Sequence, residues 1–160
     1  MQPGVAMFKI SFDGPSMRPP GGKLLDQLAT ADEMNLRYGY FQTDISFAVS
    51  GLEVQRLRGI TILDFAFGLL VSAQEVQRGG VGQVGFTEND QSIKFAPQGR
   101  LIFIEKSWGG GVGTCDIEVL LSEISRFCSE VLEFIDRQYP AFRENPTHSK
   151  MIEMLRVLPQ

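Results

Sequence analysis

Between Ile60 and Ala73 the only residues that are not apolar are Thr61, Asp64, Gly68 and Ser72, and with Glu75 they recur at spacings of three and four. On a helix that spacing gathers them into one narrow stripe and leaves apolar side chains on every other side. A helix of this kind must be packed on most of its surface, so the rest of the chain has to be arranged around it. The spacing predicts a helix from Thr61, or the turn before it, to about Arg78, where Gly79-Gly80 supplies a left-handed stop. The run falls short of the ~20 apolar residues that span a bilayer, and it carries Asp64, which predicts a core helix rather than a membrane anchor.

Elsewhere the period is two. Met7 to Asp13 alternates Phe8, Ile10 and Phe12 with Lys9, Ser11 and Asp13, the pattern of a half-buried strand. Gly14 to Gly22 is crowded with Pro and Gly and reads as a loop feeding a short helical stretch around Leu24, Leu25 and Leu28. Phe41, Ile45, Phe47 and Val49 mark a second strand, Ser50-Gly51 a hairpin turn, and Leu52 to Leu57 its return, which Gly59 ends. A meander is expected through Val81–Phe86, Ser92–Ala96 and Leu101–Glu105, with turns at Glu88-Asn89-Asp90 and Pro97-Gln98-Gly99. In it Ile93 and Phe95 are expected to face Leu101 and Phe103. A second long helix, capped near Thr114 or Asp116, presents Ile117, Leu120, Leu121, Ile124, Cys128, Val131, Ile135 and Tyr139 on one face. Pro140 breaks it, and Asn145-Pro146 is a cap and first position for a last helix through Met151, Met154 and Leu155.

The expected fold is therefore α+β: a mainly antiparallel sheet of about six strands in two hairpin or meander units, with two long helices and a short C-terminal helix. Whether the two strand groups join into one sheet stays open at this level. At 160 residues the chain is expected to form a single domain over 1–160, burying roughly 70% of its unfolded surface, with 1–6 as a flexible extension. Cys115 and Cys128 are too few for a disulfide framework, and Gln2, Pro3 and Gly4 interrupt any secretory signal, so a cytoplasmic location is expected. A net charge of −4 argues against duplex nucleic acid; it suits a cationic partner, though such mild acidity more often only aids solubility.

Several segments carry candidate chemistry. Trp108-Gly109-Gly110-Gly111-Val112-Gly113-Thr114 reads as a Gly-rich turn between a strand and a helix N-terminus, able to offer backbone N–H groups to an anion. It lacks both the Walker lysine and the dinucleotide fingerprint. The bland reading is relief of crowding as the chain leaves an edge strand; an exposed Trp108 would also serve as a protein-contact anchor. Asp64, inside an apolar helix, is either a dipole-favoured member of the polar stripe or an acid with a raised pKa. Asp44, and Glu88 with Asp90, are carboxylates without a calcium-loop pattern, and no metal or cofactor is expected. His148 stands without a sequence-neighbouring acid or Cys, and Cys115, near a helix start, is a thiol of depressed pKa or simply a small residue near a cap. The second helix sets Asp116, Glu118, Glu123, Glu130, Glu133 and Asp136 against Arg126 and Arg137, with Arg126/Glu130 and Glu133/Arg137 as i,i+4 pairs. Such a face is either solvated or complementary to a basic partner.

With no convergent nucleophile, base and metal ligands, the leading expectation is a non-enzymatic protein-binding module contacting its partner through Glu88, Asp90, Trp108, Glu123, Glu130 and Glu133. In size, charge and lack of a catalytic set the chain is similar in kind to immunity proteins that neutralise basic bacterial toxins; no site residue is carried over from them. One alternative is a small-molecule or anion-binding domain using Gly109, Gly110, Gly111, Gly113 and Thr114. The other is a hydrolase using carboxylates such as Asp44 and Asp64.

Overall fold

The computed structural model describes residues 7–50, 52–86 and 88–159. The proposed extension 1–6, and Gly51 of the first hairpin, lie outside the described residues. The apolar helix is α3 (Ile62–Gln77); it starts as Thr61 leaves extended backbone and stops at Gly79, whose φ of 83° is the left-handed conformation glycine adopts without a Cβ penalty. Its small stripe is a seat for a strand, β4 (Gly82–Gly85): a Cβ on Gly82 would lie 2.7 Å from Ser72 Cβ, and one on Gly68 3.2 Å from Val84 Cγ1. Close backbone approach, more than polarity, is what those small residues supply.

Two antiparallel sheets flank this helix. β1 (Phe8–Asp13), β2 (Gln42–Val49) and β3 (Gln55–Thr61) form the first in that order; β4, β5 (Ser92–Gln98), β6 (Leu101–Lys106) and β7 (Val112–Asp116) form the second. The chain is thus α+β, with seven strands among the described residues rather than about six and with the two strand groups in separate sheets. The added strand is β7, in residues expected to be loop and helix cap. It pairs with β6 from Leu101↔Asp116 to Glu105↔Val112, a backbone ladder that a short glycine-bearing segment does not announce by alternation.

Three further expectations are corrected. Gly59 does not end β3; with φ 65° it sits at the irregularity opposite Thr43 and Ile45, where its N–H donates to Asp44 Oδ1 at 2.9 Å, and the strand runs on to Thr61. The two-residue turn at Gly99 and Arg100 pairs Gln98 with Leu101, so Phe95 faces Ile104; Ile102 and Ile104 point inward while Leu101 is 42% exposed. A one-residue slip in register reverses every side chain, which is why Leu101 and Phe103 were the wrong pair. Phe41 precedes β2 rather than belonging to it: its φ of 57° is held by aromatic packing on Tyr40, Tyr139 and Phe142.

Between β1 and β2 lie α1 (Gly22–Asp26) and α2 (Glu33–Gly39), the latter capped by Asp32, whose carboxylate accepts from the Asn35 N–H at 2.8 Å. The long α4 (Ile117–Gln138) packs on α3 and β1. Phe127 meets Phe65 edge-on at 5.8 Å and Phe12 at 6.0 Å, and the Cys128 thiol donates to the Ala66 carbonyl. Burying each such ring contributes about 2–3 kcal/mol. The last helix, α5 (Pro146–Arg156), begins as expected at Asn145, whose Oδ1 accepts from Thr147 N–H while its Nδ2 donates to the Leu28 and Ala31 carbonyls. Buried residues from both sheets and from α2 to α5 join in one apolar cluster. No described helix is long and apolar enough to cross a membrane.

Candidate functional site

A groove of about 560 Å³ runs between α2, α3 and the β4–β5 hairpin, with Tyr38, Phe67, Val71 and Phe86 among its apolar walls and Arg37, Asp64, Gln83 and Asp90 among its polar ones. Each element brings its residue for a local reason. The capped start of α2 sets Glu33 and Arg37 one turn apart, and the first turn of α3 projects Asp64 towards them. The hairpin tip folds back through Gln91 N–H to Asn89 Oδ1 at 2.7 Å, and Phe86 stacks on Phe65 at 5.7 Å.

Four alternating charges line up at the head of this groove. Lys150 of α5 donates to Glu33 at 2.7 Å, Arg37 Nη1 donates to Glu33 at 3.1 Å, and Arg37 Nε and Nη2 both donate to Asp64 Oδ1 at 2.9 and 2.7 Å. The guanidinium also lies 4.2 Å from the Phe67 ring centre. Each of the three Arg37 nitrogens is therefore engaged, while Asp64 Oδ2 accepts no hydrogen bond among the described residues. Burial pushes the Asp64 carboxyl above its ordinary value more than Arg37 pulls it down, and the nearby Glu88 charge adds to the rise. Glu33 is shifted the other way, held low chiefly by the Lys150 hydrogen bond. Glu88 accepts from the Thr61 hydroxyl at 3.2 Å, and Asp90, on the same tip, has no ion-pair partner among the described residues.

The remaining candidates are scattered. On α4, Glu123 is buried and committed: it accepts from the Ile10 N–H at 2.7 Å and from Arg126, so it closes the edge of β1 rather than facing a partner. Glu130 is exposed and paired with Arg126 at 2.8 Å; Glu118 pairs with Arg100, and Asp136 with His148 at 3.0 Å. Glu133 is exposed, and its expected pair with Arg137 does not form. The negative face predicted for α4 is thus largely neutralised, Glu123 and Glu130 by Arg126 on the same helix and Glu118 and Asp136 by Arg100 and Arg143 from outside it. His148 is likewise corrected, since folding supplies the acid its sequence neighbourhood lacked.

The Gly-rich segment is a hairpin loop between β6 and β7, not a strand-to-helix turn. Gly109, Gly110 and Gly111 form the loop, Gly113 and Thr114 lie within β7, and the helix begins only at Ile117, so no helix N-terminus is presented to an anion there. Gly113 is required by packing, as a Cβ would fall 2.4 Å from Val49 Cγ1. Trp108 is half-buried, packed edge-on to Phe86 at 6.3 Å, with its indole N–H donating to Gln55 at 3.3 Å. Cys115 lies in β7 and burial pushes its thiol up to about 12, the reverse of an activated thiol. Asp44 is bound to the Gly59 N–H and lines a separate cavity on the outer face of the first sheet, so the two carboxylates proposed for hydrolysis do not converge. Among the described residues no three His, Cys, Asp or Glu side chains are grouped to hold a metal.

Arg37, Tyr38 and Phe67 went unnoticed in the sequence. The Asp32–Asn35 spacing signals the start of α2, but nothing local says that Arg37 meets Asp64. Set against protein-family models, curated proteins and solved structures, the chain matches none. Its site is therefore defined by its own geometry.

Proposed function

We propose that the chain is a single-domain protein-binding module of the immunity type, which receives a basic segment of a protein partner in the groove between α2, α3 and the β4–β5 hairpin. What carries this reading is the pairing of Asp64, whose Oδ2 accepts no hydrogen bond among the described residues, with Asp90, which has no ion-pair partner among them, across a groove floored by aromatic rings. Tyr38 at 39% and Val71 at 38% exposure give the apolar contact that an anchored side chain needs beside its charge. An arginine or lysine entering here meets carboxylates and a ring face together, and steering by the acidic rim speeds the encounter. The contact surface thus shifts from α4, where cations of the chain itself already answer most acids, to the hairpin tip.

A blocked hexa-arginine peptide tests this by titration calorimetry at low salt. Paired charge reversal Glu88→Lys with Asp90→Lys is expected to weaken binding by about tenfold or more, and Glu130→Lys with Glu133→Lys by less than about twofold. Equal losses from both pairs, or no binding to the native chain, would sink the assignment.

A further inference from the structure

Along β6 the inward positions are Ile102, Ile104 and Lys106; the first two are fully buried and Lys106 is 5% exposed. Among the described residues only Lys106 and Glu123 are charged and buried. A buried charge is costly unless it is answered by hydrogen bonds or an opposite charge. Glu123 is answered by three donors, from Ile10 and Arg126. Lys106 has no hydrogen bond or ion pair among the described residues; its stem is buried, while its ammonium rests 5.6 Å from the centre of the Trp108 ring and keeps contact with solvent.

That ammonium lies directly beneath the glycine loop. A Cβ at Gly110 would stand 2.7 Å from Lys106 Nζ, and Gly109, Gly110 and Gly111 all have φ between 88° and 98°. The Gly109 N–H donates to the Lys106 carbonyl at 3.2 Å, and the Gly111 N–H is turned towards the same carbonyl by the β6–β7 ladder, while the Gly110 N–H finds no acceptor among the described residues. Beside them the surface is apolar: Trp108, held by Gln55, and Leu52, whose Cδ2 lies 3.5 Å from the Cβ position of Gly111. One positive charge with an amide donor suits a single negative charge, and the apolar walls suit a hydrocarbon next to it.

We infer that Lys106, with the N–H group of Gly110, binds the carboxylate of a ligand whose apolar portion lies on Trp108 and Leu52. The site is independent of the acidic groove, and its ligand carries the opposite charge. Oxygen atoms of the carboxylate take the place that protein acceptors hold at other buried cations.

Trp108 is the only tryptophan, so its fluorescence reports on the loop directly. The purified chain is titrated with hexanoate, with a leucine-ending peptide bearing a free C-terminus, with the same peptide amidated, with inorganic phosphate, and with sodium chloride at matched ionic strength. A saturable change is expected with hexanoate, the free-acid peptide or both, and not with the amide or chloride. Response to the peptide alone assigns the ligand to a chain terminus, and response to hexanoate assigns it to a small acid. Lys106→Met and Gly110→Ala are each expected to weaken that binding by about tenfold, with folding checked by circular dichroism, whereas Asp90→Lys leaves it unchanged. No saturable response to either carboxylate, an equal response to chloride or to the amide, tighter binding of phosphate than of both carboxylates, or undiminished binding in both loop variants would each overturn the inference.

Discussion

Glu123 and Lys106 pose the same physical problem in two regions of the molecule, and the fold treats them in opposite ways. Glu123 faces the open edge of β1, where strand N–H and C=O groups would otherwise be unpaired; it takes the Ile10 N–H, and Arg126 donates to the Ile10 carbonyl at 2.6 Å. Carboxylate and guanidinium together act as a short artificial strand, and the Glu123 hydrogen bond holds Arg126 protonated still more firmly. Lys106 sits on the inner face of β6 with no such complement among the described residues, its ammonium alone reaching solvent. Where a chain of this size satisfies one buried charge with three donors and leaves the other to a ring and a glycine loop, the second position is open to a molecule from outside.

The strongest way to break this contrast is Glu123→Ala. It strips the β1 edge of its acceptor and is expected to lower stability by about 2–3 kcal/mol in urea unfolding; a loss below about 1 kcal/mol would mean the edge is satisfied by water instead. Next comes Gly110→Ala, expected to cost about 1–2 kcal/mol because a left-handed residue gains a Cβ against Lys106 Nζ. Gly109→Ala sharpens it: its φ is 88° but its Cβ would meet nothing within 4 Å, so the difference between the two variants isolates the Lys106 contact.

Lys106→Met is expected to change stability by less than about 1 kcal/mol, since an unanswered charge is replaced by an apolar chain of similar length. A loss as large as that of Glu123→Ala would show that the ammonium has a structural partner after all. The smallest effect belongs to Asp64, a partly answered carboxylate between these extremes. Its folded pKa is raised, so its contribution is fully present below its ordinary 3.8 and is lost as pH rises through the folded value. Relative to Asp64→Asn, the native chain should lose urea resistance over that window, whereas binding of the arginine peptide should strengthen over it, because the incoming cation favours the ionised form.

Much of this was legible in the chain, and the misses share a cause. The helix from Ile62 to Gln77 follows from its composition and from Gly79, and the cap at Asn145-Pro146 from side-chain chemistry within a few residues. Strand β7 escaped because Val112 to Asp116 is defined by pairing with β6 and alternates too briefly to show. The stripe of Gly68 and Ser72 was visible as small or polar residues, whereas the close approach of Gly82 that uses their smallness is a tertiary property. For the site, Glu88, Asp90 and Asp64 were visible as candidate carboxylates, yet Arg37, which sets the electrostatics of Asp64, stands 27 residues away from it.

Local rules settled by themselves where helices begin and end, which faces are apolar, and that the class is α+β, because hydrophobic period and capping act over a few residues of chain. Only folding decided that Glu123 would meet Ile10 across 113 residues, that Arg37 would be spent on Asp64, and that Lys106 would come to rest under three glycines. A charge has no fixed meaning until its neighbours are known, and in this protein those neighbours come from other elements.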